Sequence, residues 1–173
     1  VVAFSVGEEE LSGLDTSNLV GHLAAWNYFQ SAESDINSEF IKAWKARMGN
    51  KRVTNDPMEA HYIGFNMWVN AVKQAGTTNV DAVRTAMYGQ KFPNLTGGTA
   101  EMLTNHHLSK PVLIGEIKAD GQFDIISQTE PVPGDAWTDF LAESAVLKSD
   151  WKGLGCGMYN TNTKTCIQLK SNY

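Results

Sequence analysis

Short apolar runs alternate with capped amphipathic helices over the first half of the chain, and this alternation most restricts the fold. The segment "SDINSEFIKAWKARMGN" repeats apolar residues at the spacing of one helical face, and Gly49 follows as a stop signal. In "NDPMEAHYIGFNMWVNAVKQAG", Asp56 is predicted as the N-cap, with Pro57 next and Glu59 completing a capping box. The runs "VVAFSV" and "VGHLAAWNYF" are short enough for buried strands. The alternation predicts an α/β fold with a mixed sheet and flanking helices.

The second half adds a third helix and a hairpin. "NVDAVRTAMYG" has Asn79 as cap and Gly89 as stop. "KPVLIGEIKADGQFDIISQ" predicts two strands joined at Ala119-Asp120-Gly121, an Asp-Gly turn. The longest helix carries apolar residues around much of its circumference, so we expect it to be deeply packed. Those residues are Met58, Ile63, Met67, Trp68, Val69 and Val72.

The charge balance excludes two classes of partner. The chain has 14 basic and 19 acidic side chains, a net charge of −5, and no basic run. Nucleic acid and anionic membrane surfaces are bound by clustered Lys and Arg, so neither is an expected partner. A chain that opens directly in "VVAFSV" is interpreted as a mature or trimmed fragment.

Cys156 and Cys166 bracket the turn-rich segment "GMYNTNTKT". Two cysteines without a nearby histidine make a poor zinc site. A disulfide between them is predicted, ahead of reduced structural thiols and of redox or metal chemistry, and it favours an oxidising compartment such as the periplasm.

Two polar clusters are candidates for chemistry. His106 and His107 are adjacent, and in extended chain their side chains would point to opposite faces, so a shared metal is not expected. A capping or hydrogen-bonding role is favoured over metal binding or acid–base work. Glu8, Glu9 and Glu10 directly follow the first predicted strand across Gly7. Ligands of open α/β sheets bind beyond the carboxyl ends of strands, so this cluster is either a ligand site or a solvated helix start.

Signatures of enzymes and cofactor sites are missing from the sequence. It contains no phosphate-binding glycine loop, nucleophile elbow, C-x-x-C or H-E-x-x-H motif. We therefore expect no catalytic residues, no resident metal and no cofactor.

Four long segments resemble a known family. "VVAFSVGEEEL", "LVGHLAAWNYF", "VTNDPMEAHYIGFNMWVNAVKQAGTTNVDAVRTAMYGQ" and "PNLTGGTAEMLTNHHLSKPVLIGEIKADGQF" are similar to substrate-binding proteins of urea and short-chain amide ABC transporters. Those are type I periplasmic binding proteins of the branched-chain amino-acid-binding (Leu/Ile/Val-binding) family. They have two α/β lobes that close over a ligand without transforming it. The chain resembles the C-terminal portion of such a protein.

The resemblance implies a division into lobes. Residues 1–53 would belong to the second lobe, residues 54–105 to the first lobe, and residues 106–173 to the second lobe and the cysteine-bearing tail. Glu8 would bind the ligand's N–H groups, with Glu9 as the one-residue alternative and Gly7 beside them. The other ligand contacts of the family fall largely outside this sequence.

The function that follows is periplasmic binding of urea, a short-chain amide or an amino acid, and delivery of the ligand to ABC permease subunits. An amide-sensing regulator or receptor domain of the same fold is the alternative. A histidine-dependent amide hydrolase is less favoured. If sheet strands are missing, an uncovered edge predicts self-association.

Overall fold

The strands and helices follow one another much as the apolar runs and cap residues predict. The computed structural model describes residues 1–134, 158–160 and 165–167 of the chain. In chain order the helices are α1 Glu8–Leu11, α2 Asp35–Met48, α3 Asp56–Ala75 and α4 Val80–Met87. The strands are β1 Val2–Ala3, β2 Leu23–Trp26, β3 Lys91–Pro93, β4 Thr99–Met102, β5 Leu108–Lys110, β6 Leu113–Ile117, β7 Phe123–Gln128, β8 Val132–Pro133, β9 Met158–Asn160 and β10 Thr165–Ile167.

The chain divides into two compact units, Val1–Gly134 and Asp135–Tyr173. The first unit holds two four-stranded sheets, with strand orders β1-β2-β6-β7 and β3-β4-β5-β8. In the first sheet β1 runs parallel to β2 and the other neighbours are antiparallel, so the sheet is mixed. The second unit contains the antiparallel pair β9 and β10. The predicted α/β class, with a mixed sheet and flanking helices, is confirmed.

The hairpin of β6 and β7 forms around the predicted Asp-Gly turn. Gly121 has φ +75°, a conformation that costs glycine little because it has no Cβ. The N–H of Lys118 donates to the Gln122 carbonyl (2.9 Å), and the Asp120 carboxylate accepts the Gln122 N–H (3.0 Å). The turn thereby fixes the register of both strands.

The cap predicted for α4 is confirmed, whereas the cap predicted for α3 is shifted by one residue. Ser34 caps α2 and Asn79 caps α4, each accepting a backbone N–H of the first turn. At α3 the cap is Asn55, whose side chain accepts the Met58 N–H at 3.2 Å, so the prediction of Asp56 was wrong by one residue. Both side chains can cap, and the shift moves Glu59 out of the capping box and into the interior.

Three hydrophobic clusters lie in the first unit; the smallest joins α3 to α4 through Ala71, Val83 and Ala86, and the other two are larger. One joins the first sheet to α1 and contains Leu11, Ala24, Phe29, Leu113, Ile117 and Phe123. The other joins α3 to the second sheet and contains Tyr28, Ile63, Met67, Leu95, Ala100 and Met102. Consecutive residues Tyr28 and Phe29 therefore point into different clusters. The segment 27–30 lies along the seam between them.

Two expectations about burial were wrong. On α3 only one stripe is buried, and Phe65 and Trp68 are 56% and 44% exposed, because that side of the helix has no covering element among residues 1–134. Strand β1 is also exposed, with Phe4 beside it at 73%, because it pairs with β2 alone.

Several predictions lie beyond what the structure describes. Cys156 is outside the described residues and the side chain of Cys166 is not described, so the disulfide stays a prediction. The assignment of residues 1–53, 54–105 and 106–173 to two lobes also stays a prediction. Within the described part of the chain, no helix has the length and apolar character needed to cross a membrane.

Gly115 on β6 supplies a stability test. A Cβ at this position would lie 2.7 and 2.9 Å from ring atoms of Phe29 and 3.0 Å from Phe123, whose rings stack at 4.3 Å. Gly115→Ala should lower the free energy of unfolding by about 1–3 kcal/mol, because the stacked pair must move. Chemical denaturation measures the loss.

Gly64→Ala is the matched control for this substitution. Gly64 lies inside α3 with open space around its Cα, so alanine there should raise stability by about 0.5–1 kcal/mol. A Gly115→Ala protein as stable as the wild type would show that the Phe29–Phe123 pair is not tightly packed.

Candidate functional site

The carboxyl group of Glu8 is buried and half satisfied. Glu8 begins α1 directly after Gly7, and the residue is 1% exposed. Its Oε1 accepts the backbone N–H of Gln30 at 2.5 Å, whereas its Oε2 has no hydrogen-bond partner among the described residues. A buried carboxyl oxygen without a partner is rare, because leaving its hydrogen bond unmade costs about 1–3 kcal/mol of stability. This atom is the strongest sign of a ligand site.

Burial raises the pKa of Glu8 from its ordinary value of 4.5 to about 7. The hydrogen bond from Gln30 opposes the shift, and the negative charges of Asp56 and Glu10 add to it. Near neutral pH the group therefore exists in both protonation states. It can accept N–H groups as a carboxylate, or keep its proton at lower pH.

The residues next to Glu8 in sequence, Gly7, Glu9 and Glu10, make contacts of a different kind. Glu9 forms an ion pair with Arg52 at 2.9 Å, and both side chains are substantially exposed. The N–H of Gly7 donates to the Glu10 carboxylate at 2.8 Å. A Cβ on Gly7 would lie 2.7 Å from the Trp26 ring, so glycine permits the close approach of the chain to that ring. Of the three residues predicted for ligand binding, Glu8 is the one with a free buried oxygen.

Glu8 lines a pocket of about 210 Å³ between α1 and the β6–β7 turn. Its polar wall includes Ser12, Thr16, Asp120 and Gln122. The Thr16 hydroxyl donates to the Ala119 carbonyl at 2.8 Å and holds the turn against the start of the chain. The pocket is small, acidic at one end and rich in hydrogen-bond acceptors.

A network of uncharged polar groups continues from Glu8 along the seam. The Tyr28 hydroxyl lies 2.7 Å from both the Asn37 Oδ1 and the Thr54 Oγ1. The Asn37 amide donates to the carbonyls of Gln30 (3.0 Å) and Ala32 (2.6 Å). Burial raises the pKa of Tyr28, so its hydroxyl stays protonated.

A second buried charge cluster was missed by the sequence analysis. Lys110 on β5 forms an ion pair with Glu59 on α3, and both side chains are almost fully buried. Asp56 accepts the Asn27 N–H at 2.8 Å, and burial raises its pKa although Lys110 opposes the shift. Burial likewise raises the pKa of Glu59 against the charge of Lys110. Glu59 was interpreted as a capping residue, which hid its role.

Most charged groups of this cluster are paired with one another or with the backbone, although the Glu59 Oε1 has no hydrogen-bond partner among the described residues. A pocket of about 380 Å³ beside it is lined by Asn27, Asp56, His107 and Lys110 among others. The Lys110 ammonium is paired with Glu59, and the Asp56 carboxylate accepts a backbone N–H. This internal pairing accounts for the burial of these charged groups as part of the fold.

His106 and His107 lie in the turn between β4 and β5, and both are exposed. His106 has φ +63°, its N–H donates to the Leu103 carbonyl (3.0 Å), and its ring contacts that of Tyr88. The His107 N–H donates to the Asn105 side chain at 3.0 Å. The pair shapes a turn, as the favoured hydrogen-bonding role implies. Among the described residues, no group of three or more His, Cys, Asp or Glu side chains could hold a metal ion.

Comparison with known proteins agrees with the α/β fold described above. A family model described as a periplasmic binding protein domain matches residues 1–143. A solute-binding protein of an ABC transporter from Rhodopseudomonas palustris BisB5, in complex with 3,4-dihydroxybenzoic acid, superposes with a TM-score of 0.60 at 21% identity, over 67% of this chain and 32% of that one. An amino acid ABC transporter substrate-binding protein from Pseudomonas fluorescens Pf-5 gives 0.62 at 20% identity, over 83% and 39%.

A curated protein from Geobacillus stearothermophilus, named limonene hydroxylase, is 33% identical over 134 residues, which are 76% of this chain and 24% of that protein. The chain thus spans about a quarter of that relative and 32% and 39% of the two solved structures. The activity in the relative's name describes a protein about four times longer than the aligned part.

The raised pKa of Glu8 predicts how stability depends on pH. The folded protein holds this proton more tightly than the unfolded chain, so the stabilisation is complete below pH 4.5 and is lost as the pH rises through about 7. The loss attributable to Glu8 should be on the order of 3 kcal/mol. Thermal denaturation between pH 5 and pH 8 measures this loss without adding urea or guanidinium, whose N–H groups would compete for Glu8.

Glu8→Gln should flatten this pH dependence, because glutamine cannot titrate. Glu9→Gln is the control, since it removes an exposed carboxylate one residue away and should leave the profile of the wild type in place. Identical profiles for the wild type and Glu8→Gln would refute the raised pKa.

Proposed function

The chain belongs to the periplasmic binding protein family, and on that premise we propose that it is the solute-binding component of an ABC transporter for urea or short-chain amides. It binds its ligand in the periplasm without transforming it and delivers it to the permease subunits. Residues 1–53 and 106–173 supply one lobe and residues 54–105 supply part of the other.

The unpaired Oε2 of Glu8 carries this proposal. A buried carboxylate is a strong acceptor for N–H groups, and charge-assisted hydrogen bonds are about twice as strong as neutral ones. Urea and primary amides present N–H donors that can fill this vacant position. The 210 Å³ volume of the Glu8 pocket also favours a small ligand.

The same carboxylate argues against an aromatic acid as the ligand. The Rhodopseudomonas palustris neighbour holds 3,4-dihydroxybenzoic acid. Above pH 7, where Glu8 is ionised, a ligand carboxylate brought to it would place two like charges together in a buried site, which is strongly unfavourable. An amino acid could bind Glu8 through its ammonium group and stays within the proposed ligand class.

No side chain of the described residues favours catalysis over binding. The two adjacent histidines lie in an exposed turn, and no nucleophile or second free base of the described part of the chain lies within hydrogen-bond distance of Glu8. We propose a binding role alone.

Titration calorimetry with urea, acetamide, leucine and benzoate tests the proposal. Urea or acetamide should bind to the purified protein, and benzoate should not. Glu8→Gln should weaken that binding about 10- to 100-fold, because its amide presents a donor where the ligand needs an acceptor. Affinity should also fall below pH 7 in the wild type, where Glu8 takes up its proton.

Glu9→Gln is again the matched control and should retain the affinity of the wild type. Unchanged affinity in Glu8→Gln, or preferential binding of benzoate, would reject the proposed ligand class. Ammonia release from urea or acetamide would reject the binding-only role.

We also propose that this chain associates with itself through strand β1. Within residues 1–134, β1 pairs only with β2, and Val1 and Phe4 are 87% and 73% exposed. Unpaired, apolar strand edges recruit further strands.

Light scattering should therefore show concentration-dependent oligomers, and Val2→Lys should shift them toward the monomer, since a charged edge resists pairing. Phe65→Lys, on the exposed side of α3, is the control and should leave the oligomers intact. A monomer at every concentration would contradict this proposal.

A further inference from the structure

Gln30 makes hydrogen bonds to four separate parts of the chain. Its N–H donates to the Glu8 Oε1 (2.5 Å), and its carbonyl accepts from the Asn37 amide (3.0 Å). Its side-chain Oε1 accepts the N–H of Thr54 (2.8 Å) and lies 3.2 Å from the Thr54 hydroxyl. Its Nε2 donates to the Gln122 Oε1 at 2.9 Å. Every polar atom of the residue is therefore used.

The orientation of the side-chain amide follows from its partners. The backbone N–H of Thr54 can only donate, so the atom facing it must be the amide oxygen. The NH₂ group then faces Gln122, whose oxygen must point toward it. A 180° rotation of the Gln30 amide would break both contacts, and the same rotation of the Gln122 amide would break the contact between the two side chains.

These contacts hold the walls of the Glu8 pocket without entering it. Glu8, Val53 and Gln122 line the pocket, whereas Gln30 lies behind them and is bonded to Glu8, to Gln122 and to Thr54, the residue after Val53. The hydrogen bond to Glu8 engages Oε1 and leaves Oε2 as the free atom.

We infer that Gln30 is a positioning residue for ligand binding, whose side chain clamps Thr54 and Gln122 so that its own N–H fixes the Glu8 carboxyl with one oxygen free for the ligand. This inference rests on the proposed function of Glu8. Gln30 does not touch the ligand. It sets the position and the solvation of Glu8, which does.

Gln30→Met tests the clamp, because methionine has a similar length and volume but makes none of the side-chain hydrogen bonds. Without them, Thr54 and Gln122 separate, water reaches the carboxyl and the burial that raises the pKa of Glu8 is relieved. The Glu8 carboxyl, followed by carbon-13 NMR and assigned with Glu8→Gln, should titrate about one pH unit lower than in the wild type. Affinity for urea or acetamide should fall about tenfold.

Gln74→Met is the matched control. The Gln90 amide donates to the Gln74 Oε1 at 2.8 Å, an exposed glutamine pair of the same chemistry elsewhere on the molecule. This variant should leave both the Glu8 titration and the affinity at wild-type values. A Gln30→Met protein that behaves like Gln74→Met would overturn the inference.

Gln30→Glu keeps the test open if Gln30→Met does not fold. It retains an oxygen for Thr54, and Gln122 can rotate to donate to the second oxygen. The new carboxylate adds to the charges of Asp56 and Glu10 that already act on Glu8, so the Glu8 titration should move upward by about one pH unit. A Glu8 titration unmoved by Gln30→Glu would also overturn the inference.

The Glu8 titration needs no ligand, so it separates two failures. If Glu8→Gln binds urea and acetamide as the wild type does, the proposed function is wrong whatever Gln30 does. If Glu8→Gln loses affinity while Gln30→Met keeps both its titration and its affinity, the ligand role stands and the clamp is wrong.

Discussion

The hydrogen bond from the Gln30 N–H to the Glu8 carboxyl joins the parts of the structure on which the rest depends. It forms at the seam where Tyr28 enters one hydrophobic cluster and Phe29 enters the other. Two apolar cores that meet along a single segment leave the backbone of that segment to be satisfied by polar groups. The side chains of Glu8, Asn37 and Asp56 supply those partners. The polar network is thus a consequence of packing two cores against one short stretch of chain.

The buried glutamates Glu8 and Glu59 have different partners, and this difference separates a structural role from a candidate ligand-binding role. Among the described residues each of these glutamates has one carboxyl oxygen without a partner, but Glu59 is paired with a buried cation, Lys110, whereas Glu8 has one backbone N–H and no cation among its hydrogen-bond partners. A paired buried charge is costly to break and needs no ligand to explain it. An unpaired carboxyl oxygen costs stability in every molecule that lacks a ligand. Such a loss of stability is reasonable where a ligand's N–H groups can form the missing hydrogen bond and offset it.

Much of the fold could be predicted from local signals, and the errors have local causes. The Asp-Gly turn at Asp120, the cap Asn79 and the stop Gly49 each act within a few residues, so sequence spacing suffices to find them. The α3 cap was misassigned because Asn55 and Asp56 are adjacent and both can cap. The exposure of Phe65 and Trp68 could not be predicted, because apolar composition does not say which side of a helix meets a neighbour. The Glu59–Lys110 pair joins residues 51 positions apart, and no local signal connects them.

The candidate site shows the same division between local and distant information. Position after the first strand singled out three consecutive glutamates, but spacing alone could not rank them. Consecutive residues of a helix point in directions about 100° apart, so the three side chains reach different surroundings. Glu9 therefore reaches Arg52 at the surface, Glu10 turns back to the Gly7 N–H, and Glu8 enters the seam. Gln30 carries no signature of its own, since its role arises from Thr54 and Gln122, which the fold brings together. The candidate carboxylate Glu8 can be found from sequence order, whereas the residues bonded around it emerge only from the packed structure.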